Sequence, residues 1–286
     1  MIETSPHDAE IGEVLISLQD LRVKYGDREI LHGISFDVRR GETMVILGGS
    51  GSGKSTLLRT LVGLEKPTSG KILIKNQNIA SISQRDMDEI RKKIGMSFQG
   101  GALFGSMTVG ENVALPLLEH TKLEPSTIEI ILRLKLDQVG LAGFEDYMPS
   151  QLSGGMKKRA AVARALAMDP EILFFDEPSA GLDPIIAAGI DQLILDLKKA
   201  FHMTIIVVTH ELASAFLIAD RMVLIDKGNL VAIGTVKEMQ TSSQPRVRQF
   251  LDRVAEPEVS QEMDYLQMLT EHRPGRNGKA SQKRGT

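Results

Sequence analysis

The stretch that decides the fold is "GGSGSGKST", residues 48–56. It matches the pattern G-x-x-x-x-G-K-[ST], and it lies between the apolar segment "TMVIL", residues 43–47, and the segment "LLRTLVGL", residues 57–64. A strand, a glycine-rich turn and a helix in this order bring backbone N–H groups and the positive end of a helix dipole to one point. The sequence therefore predicts a loop that binds the phosphates of a nucleotide.

Each residue of this loop has an expected part in binding. The glycines let the backbone approach the phosphates, Lys54 reaches the terminal phosphates, and the Ser55 hydroxyl coordinates Mg²⁺. The residues expected to bind the nucleotide here are Gly48, Gly49, Ser50, Gly51, Ser52, Gly53, Lys54, Ser55 and Thr56. By itself the loop indicates a nucleoside triphosphatase or a kinase and does not choose between them.

Composition narrows the class of protein. The chain has 286 residues, 42% hydrophobic and 25% charged, which is typical of a globular protein. A formal net charge of -3 gives no sign of a nucleic-acid partner, and the lack of cysteine excludes a disulfide framework and a thiolate metal site. No apolar run approaches the roughly 20 residues that span a bilayer, and residues 1–13 are too polar for a signal peptide. We expect a soluble, cytoplasmic protein.

Apolar strand-like segments alternate with helical segments along the chain. Residues 171–176 and 204–210 have the pattern of buried strands, and residues 184–199 between them have that of a helix. The helix has one apolar face, formed by Ile186, Ile190, Leu193 and Leu197. This alternation predicts an α/β fold with a parallel sheet covered on both faces, preceded by a strand-rich portion and interrupted by a helical subdomain.

Two acidic residues follow the strand-like segment in "EILFFDEP", residues 171–178. Asp176 at the strand end would lie near the Mg²⁺, and Glu177 would orient or deprotonate an attacking water. A metal carboxylate followed by a base indicates hydrolysis rather than transfer to another substrate.

A further stretch, "LSGGM", residues 152–156, precedes an alanine-rich helical segment whose Met156, Ala160, Ala163 and Ala167 share one face. Ser153, Gly154 and Gly155 would then lie at a helix N-terminus, where backbone N–H groups favour an anion. On these residues alone, a simple helix cap and a second phosphate site are equally plausible.

The order of the motifs settles that ambiguity. The nucleotide loop, "FQGGALF", "LSGGM", "FFDEP", "SAGLD" and "VVTH" together resemble the nucleotide-binding subunit of ABC transporters over about residues 14–240. The resemblance implies an α/β P-loop (RecA-like) core with an N-terminal antiparallel β portion and an inserted helical subdomain. It also implies that two copies pair head to tail, so that each ATP lies between the nucleotide loop of one copy and the Ser153 segment of the other.

The same resemblance implies roles for five more residues. Tyr25 would stack on the adenine, and Gln99 would sense both the metal and the attacking water while linking to the membrane partner. Asp183 would lie at the contact between the two copies, close to the nucleotide. His210 would hold the γ-phosphate and the water, and Ser153 would stabilise the developing charge from across the interface.

A closer resemblance, over about residues 14–254, is to the Mla-type, MCE-linked ATPases of phospholipid transport. It rests on Met156 with the residues that follow it, on residues 99–121, and on "PRVRQFLD", residues 245–252. It implies an integral-membrane permease and MCE-domain and STAS-domain subunits as partners, with phospholipid handled by the complex and not by this chain. The expected location is the cytoplasmic face of the inner membrane.

This interpretation divides the chain into three parts: a disordered N-terminus (1–13), the nucleotide-binding domain (14–254, with the helical subdomain at about 99–167), and a C-terminal tail (255–286) that is mostly disordered. Near the domain's end, Val247, Phe250, Leu251 and Val254 fall at helical spacing. That helix is expected to cover its own domain rather than a neighbouring subunit.

Other functions stay open at this point. The runner-up is the ATPase of an importer of amino acids or other small polar solutes, because the nucleotide motifs do not report the transported molecule. A soluble ABC ATPase of DNA repair or translation is disfavoured because the chain has one nucleotide-loop motif and no long coiled-coil segment. A GTPase is disfavoured because the guanine-reading N-K-x-D pattern is missing.

Overall fold

A computed structural model describes residues 12–254 of the chain. The expectations for residues 1–11 and for the tail, 255–286, therefore lie outside the described residues. At the start of the described residues, the Gly12 N–H donates to the Arg40 carbonyl at 3.2 Å and the Arg40 N–H donates to the Glu13 carbonyl at 2.9 Å.

The described residues form an α/β structure. The strands β1 to β10 are Val14–Tyr25, Arg28–Arg39, Thr43–Leu47, Ser69–Ile74, Gln77–Asn78, Ile94–Ser97, Ile172–Asp176, Thr204–Thr209, Arg221–Asp226 and Asn229–Thr235. The helices α1 to α9 are Lys54–Leu61, Gln84–Arg91, Val109–His120, Pro125–Gln138, Gly154–Leu166, Pro184–Phe201, Leu212–Ile218, Val236–Thr241 and Pro245–Leu251. One turn of 3-10 helix, Pro149–Gln151, precedes α5.

The strands form two sheets. The first has four strands in the order β2-β1-β4-β5, all antiparallel. The second has six in the order β10-β9-β3-β8-β7-β6, parallel except for the edge pair β9–β10. The prediction of an α/β chain with an antiparallel N-terminal portion is confirmed.

The parallel sheet is covered on both faces, as its apolar strands require. Successive side chains of a strand point to opposite faces. In β3, Val45 and Leu47 join the core cluster shared with α3 to α7, and Met44 and Ile46 join the cluster shared with the first sheet and α1. The sheet therefore separates two hydrophobic cores.

The register of the parallel strands places four loops at one edge. Leu47 of β3 pairs with Thr209 of β8, Asp176 of β7 pairs with Val208 of β8, and Ser97 of β6 pairs with Phe175 of β7. The carboxyl ends of parallel strands meet at the same edge, where open α/β sheets bind their ligands. The segments after β3, β6, β7 and β8 therefore lie side by side.

Two helices differ from expectation in detail. Helix α1 begins at Lys54 and not near Leu57, because Gly53 has a left-handed backbone and ends the loop directly before the lysine. In α6 the predicted apolar face is buried from Ile190 onward, but Ile186 is 42% exposed. The first turn of α6 extends past the core, so Ile186 borders the Ser153 segment.

The C-terminal helix α9 packs against its own chain. Val247 is fully buried, and Phe250 and Leu251 pack against the core that contains α5 and α6. The Arg246 guanidinium holds Asp226 of β9 with two hydrogen bonds of 2.8 Å, which fixes the start of the helix. Val254, the fourth apolar residue of the predicted face, is 60% exposed.

None of the helices within residues 12–254 is long and apolar enough to cross a membrane.

Candidate nucleotide and catalytic site

The loop after β3 has the glycines that its path requires. Gly51 and Gly53 have φ of 71° and 102°, a region that side chains other than glycine rarely adopt. A Cβ at Gly48 would lie 2.3 Å from the Ile225 carbonyl oxygen, so this position has no room for a side chain. A Cβ at Gly49 or Gly51 would meet nothing within 4 Å, so the loop is open on that side.

Lys54 lies inside the loop. Its ammonium donates to the carbonyl oxygens of Gly48 at 2.8 Å and Gly49 at 2.9 Å. Burial lowers the pKa of Lys54, while the carboxylates of Glu177 and Asp176 act in the opposite direction. A cation held between two loop carbonyls is placed to meet the phosphates that the loop would hold.

Asp176 lies at the end of β7. Burial raises the pKa of Asp176, the neighbouring Glu177 adds to the rise, and the cations of Arg59, Lys54 and Lys158 oppose it. Because burial disfavours the charged carboxylate, a cation placed against it would be stabilising.

Glu177 is held by hydrogen bonds to β8 and to the residue that follows it. Its N–H donates to the Val208 carbonyl at 2.8 Å, the Thr209 hydroxyl donates to its Oε2 at 3.2 Å, and His210 Nδ1 lies 2.9 Å from its Oε1. The imidazole of His210 is 59% exposed. The carboxylate is thus buried and oriented, while the imidazole bonded to it faces outward.

The oxygen donors at this edge suit Mg²⁺. The residues that the structure describes contain no group of three or more His, Cys, Asp or Glu side chains able to hold a metal ion. Mg²⁺ needs no such group, because it keeps several waters and takes one or two protein ligands together with substrate phosphates. The Asp176 carboxylate and the hydroxyl of Ser55, in the first turn of α1, are ligands of the right chemistry.

The Ser153 segment forms the start of α5, as expected. Ser153 is the N-cap, and its Oγ accepts the N–H of Met156 at 3.3 Å. Gly155 has no room for a side chain, since a Cβ there would lie 2.5 Å from Ile186 Cγ2. The Met156 side chain packs against the hydrophobic core. The thioether therefore acts as core filler, and the backbone and Ser153 form the exposed end.

The remaining predicted site residues occupy three positions. Tyr25 lies at the end of β1 and is 47% exposed. Its hydroxyl donates a hydrogen bond to Glu65, and this bond raises the pKa of Tyr25. Thr56 of the nucleotide loop is close enough to oppose that shift. Gln99 is exposed in the segment after β6. Asp183 is the N-cap of α6 and accepts the N–H groups of Ile185 and Ile186, both at 3.0 Å.

Sequence reasoning missed three groups at this edge: Lys158, which contacts Glu177, Thr209, which bonds its carboxylate, and Arg59, whose charge acts on Asp176. The basic residues after Met156 were visible in the sequence, but nothing in their spacing assigned them a target. The contacts of Arg59, Lys158 and Thr209 depend on how α1, α5 and β8 pack against one another.

A phosphate loop after β3, a buried strand ending in two acidic residues and a histidine after the next strand define a P-loop nucleotide hydrolase. The family model described as "ABC transporter" matches residues 31–180, about half of the chain. The chain belongs to the ABC transporter family and is one of its ATP-binding, ATP-hydrolysing subunits. The resemblance inferred from the motif order is confirmed.

Two curated relatives match most of the chain. MlaF of Escherichia coli K12, the ATP-binding protein of an intermembrane phospholipid transport system, is 42% identical over 245 residues, 86% of this chain and 91% of MlaF. The probable ribonucleotide transport ATP-binding protein mkl of Mycobacterium leprae is also 42% identical, over 260 residues that cover 90% of this chain and 75% of mkl.

A solved structure shows the same fold. The dimeric post-hydrolysis state of the ATP-binding cassette MJ0796, bound to ADP and Pi, aligns with a TM-score of 0.71 and 31% identity over 77% of this chain and 98% of that one.

Proposed function

We propose that this chain is the ATPase subunit of a transporter that moves phospholipid between the inner and outer membranes. The observation that carries the proposal is the match to MlaF, which spans 91% of that protein at 42% identity. The equally identical mkl is matched over 75% of its length. Maintenance of lipid asymmetry is the physiological role that follows.

ATP hydrolysis is assigned to the cluster at the carboxyl edge of the sheet. The loop N–H groups and Lys54 bind the phosphates, and Glu177, fixed by Thr209, orients and deprotonates the attacking water. His210, hydrogen-bonded to Glu177, would hold the γ-phosphate and the attacking water. Ser55, Asp176 and Gln99 would hold Mg²⁺, which would supply positive charge to the phosphate oxygens.

The catalytic unit is a head-to-tail pair of chains. Ser153, Gly154 and Asp183 lie on the exposed surface near Ile185, which is 83% exposed. In such a pair this surface faces the nucleotide loop of the other copy, where the α5 N-terminus stabilises the negative charge of the transition state. The MJ0796 cassette, described as dimeric and bound to ADP and Pi, supports this arrangement.

The membrane partner is assigned to a groove beside Gln99. A cavity of about 500 Å³ is lined by apolar and polar side chains of β6, the segment after it and α3, including Phe98, Phe104, Leu115 and His120. Phe98 and Phe104 are 39% and 52% exposed, which is unusual for large aromatic side chains. A helix of an integral-membrane permease fits this surface, with MCE-domain and STAS-domain subunits completing a complex on the cytoplasmic face of the inner membrane.

The alternative is the ATPase of a polar-solute importer. The name of mkl, which refers to ribonucleotide transport, favours this class as the second candidate. The two candidates differ in the proteins that accompany the ATPase and share the hydrolytic site.

Co-purification separates them. The tagged chain would be isolated from gently solubilised membranes of its own organism, and the accompanying proteins and lipids identified by mass spectrometry. A multi-span permease with MCE-domain and STAS-domain proteins and bound phospholipid is the expected result. A permease with a solute-binding protein would favour the polar-solute importer instead. A preparation with no membrane protein would contradict both transport functions.

A further inference from the structure

The backbone of Glu177 has a conformation that needs support. Its φ is 49°, in the left-handed region that residues other than glycine rarely adopt. Such conformations persist where the surroundings hold them, and they concentrate at functional sites. The turn that follows is closed by the Ala180 N–H, which donates to the Glu177 carbonyl at 3.2 Å.

A lysine from another element completes this turn. The ammonium of Lys158, in α5, donates to the Glu177 carbonyl at 2.9 Å. The side chain is partly buried, and burial lowers the pKa of Lys158, while the negative charges of Glu177, Glu211 and Asp176 oppose that shift. The Glu177 carbonyl is part of the turn with the strained backbone. A charge-assisted hydrogen bond to this carbonyl therefore fixes the direction in which the Glu177 side chain leaves the backbone.

The helix that carries Lys158 is firmly tied to its neighbours. Arg159 donates to the Val139 carbonyl at 2.9 Å and to the Gly189 carbonyl at 3.1 Å. Arg164 donates to the carbonyls of Gly101 and Ala102, at 2.9 and 2.7 Å, in the segment that follows Gln99. Helix α5 therefore contacts the base, the Gln99 segment and α6, and Ser153 is its N-cap.

We propose that Lys158 is a positioning residue for hydrolysis: its bond to the Glu177 carbonyl holds the base in line with the attacking water. The inference rests on the proposed role of Glu177. In a head-to-tail pair the consequence is that one helix serves both nucleotides. Ser153 faces the ATP bound by the other copy, and Lys158, about 7.5 Å further along the helix axis at 1.5 Å per residue, holds the base of its own.

The test compares ATPase kinetics of the transporter complex purified through a tag on this chain. Lys158→Met keeps the length and apolar stem but removes the donor. We expect kcat to fall about tenfold or more while KM for Mg·ATP stays within about twofold, because the bond acts on the base and not on nucleotide binding. Lys158→Arg, which can still donate to the carbonyl, is expected to recover most of the rate.

Two further variants make the test specific. Lys157→Met removes the adjacent cation, which points in another direction from the same helix, and is expected to leave kcat unchanged. In a Glu177→Gln background, adding Lys158→Met is expected to cause no further loss of single-turnover hydrolysis, because a residue that acts through Glu177 has nothing left to position. If Lys158→Met does not fold, Lys158→Gln is used in its place. The glutamine amide is too short to reach the Glu177 carbonyl as the lysine ammonium does.

The outcomes distinguish this inference from the proposed function. A wild-type kcat for Lys158→Met, an equal loss for Lys157→Met, or a full additional loss in the Glu177→Gln background would overturn the positioning role while the base assignment stands. Wild-type turnover by Glu177→Gln alone would overturn the base assignment itself, and the positioning role with it.

Discussion

Lys54 shows how one side chain is prepared for its ligand. Its ammonium is already desolvated and held between two carbonyl oxygens of the loop, so little side-chain entropy is lost when it moves to a phosphate. Hydrogen bonds to charged groups are each worth about 1.5–3 kcal/mol. The ammonium would therefore exchange these two carbonyls for phosphate oxygens with little reorganisation.

We expect Lys54→Ala to weaken ATP binding by at least about tenfold, which corresponds to 1.4 kcal/mol. Equilibrium binding of a fluorescent ATP analogue to the purified subunit measures this. Lys71→Ala, which removes an exposed lysine of β4, is the matched control and should bind as the wild type does. Equal binding by the two variants would remove Lys54 from the phosphate site.

Asp191 is a buried residue in the middle of α6. Ser214 donates to its Oδ2 at 2.8 Å, and its Oδ1 has no hydrogen-bond partner within the described residues. Burial raises the pKa of Asp191 above its ordinary value of 3.8; Glu211 adds to the rise and the Ser214 bond opposes it. The folded state therefore binds this proton more tightly than the unfolded state does.

The stability contributed by protonated Asp191 is complete below pH 3.8 and is lost as the pH rises through the raised pKa. We expect Asp191→Asn, which cannot ionise, to gain stability relative to the wild type as pH increases from about 4 towards neutrality. Urea denaturation at a series of pH values tests this. Asp196→Asn, on the exposed face of the same helix, controls for the change in net charge. A difference from wild type that is constant with pH would contradict the prediction.

At the scale of elements, the start of α5 has an exposed end at Ser153 and a side chain that packs on the core at Met156. Ser153 and the backbone N–H groups form the exposed end that is proposed to bind an anion, whereas the partly buried Met156 side chain packs against the core. Methionine is a flexible apolar filler that makes no strong hydrogen bond. A polar residue at this position would face the protein interior rather than a phosphate.

We therefore expect Met156→Gln to leave ATPase activity within a few-fold, because the phosphate contacts come from other groups. Ser153→Ala, in contrast, removes the cap and the hydroxyl, and should lower activity much further. Steady-state ATPase assays of the two variants in the same preparation decide the matter. A comparable loss in both would make Met156 part of the catalytic contact.

The C-terminal helix α9 is the second element with a testable role. Phe250 is half-buried against the core of its own subunit, beside the fully buried Val247. Truncating it should cost on the order of 2 kcal/mol, below the 3–5 kcal/mol of a fully buried phenylalanine. The helix is thus expected to stabilise the subunit before any partner binds.

Thermal unfolding of the isolated subunit tests this expectation with Phe250→Ala. Val254→Ala, which truncates an exposed side chain near the same helix, should change stability by less than about 0.5 kcal/mol. A Phe250→Ala subunit that unfolds like the wild type but loses its place in the membrane complex would assign this helix to a neighbouring subunit instead.

At the scale of the whole molecule, the head-to-tail pair proposed above would complete the site. Glu177, His210 and the nucleotide loop belong to one edge of the parallel sheet, and Ser153 lies on an exposed surface formed by α5 and α6. In the proposed pair, ATP hydrolysis would reopen the dimer, because the contacts to the γ-phosphate would be lost.

We expect Glu177→Gln to bind ATP and to accumulate as a closed dimer, since glutamine keeps the shape and the Thr209 contact but cannot take the proton from water. Size-exclusion chromatography with light scattering should show twice the monomer mass in ATP and the monomer mass in ADP. Lys54→Ala, expected not to bind ATP productively, should stay monomeric in both. Rapid turnover without dimer by Glu177→Gln would contradict the assignment.

Local motifs in the sequence determined the α/β class, the nucleotide loop, the acidic pair at the end of β7 and the cap of α5. Each of these depends on residues adjacent in the chain, where backbone conformation and hydrogen bonding are governed by the residues themselves. The positive φ of Gly53 and the cap formed by Ser153 follow from such short-range requirements.

Only the tertiary structure decided which residues meet Glu177. His210 lies 33 residues after Glu177 and contacts its carboxylate, and Lys158 lies 19 residues before it and contacts its backbone carbonyl. Their contacts require β8 to lie beside β7 and α5 to pack across the same turn, an order set by the burial of two hydrophobic cores. Burial is non-directional and shared among many residues, so no short stretch of sequence carries the information that brings these three side chains together.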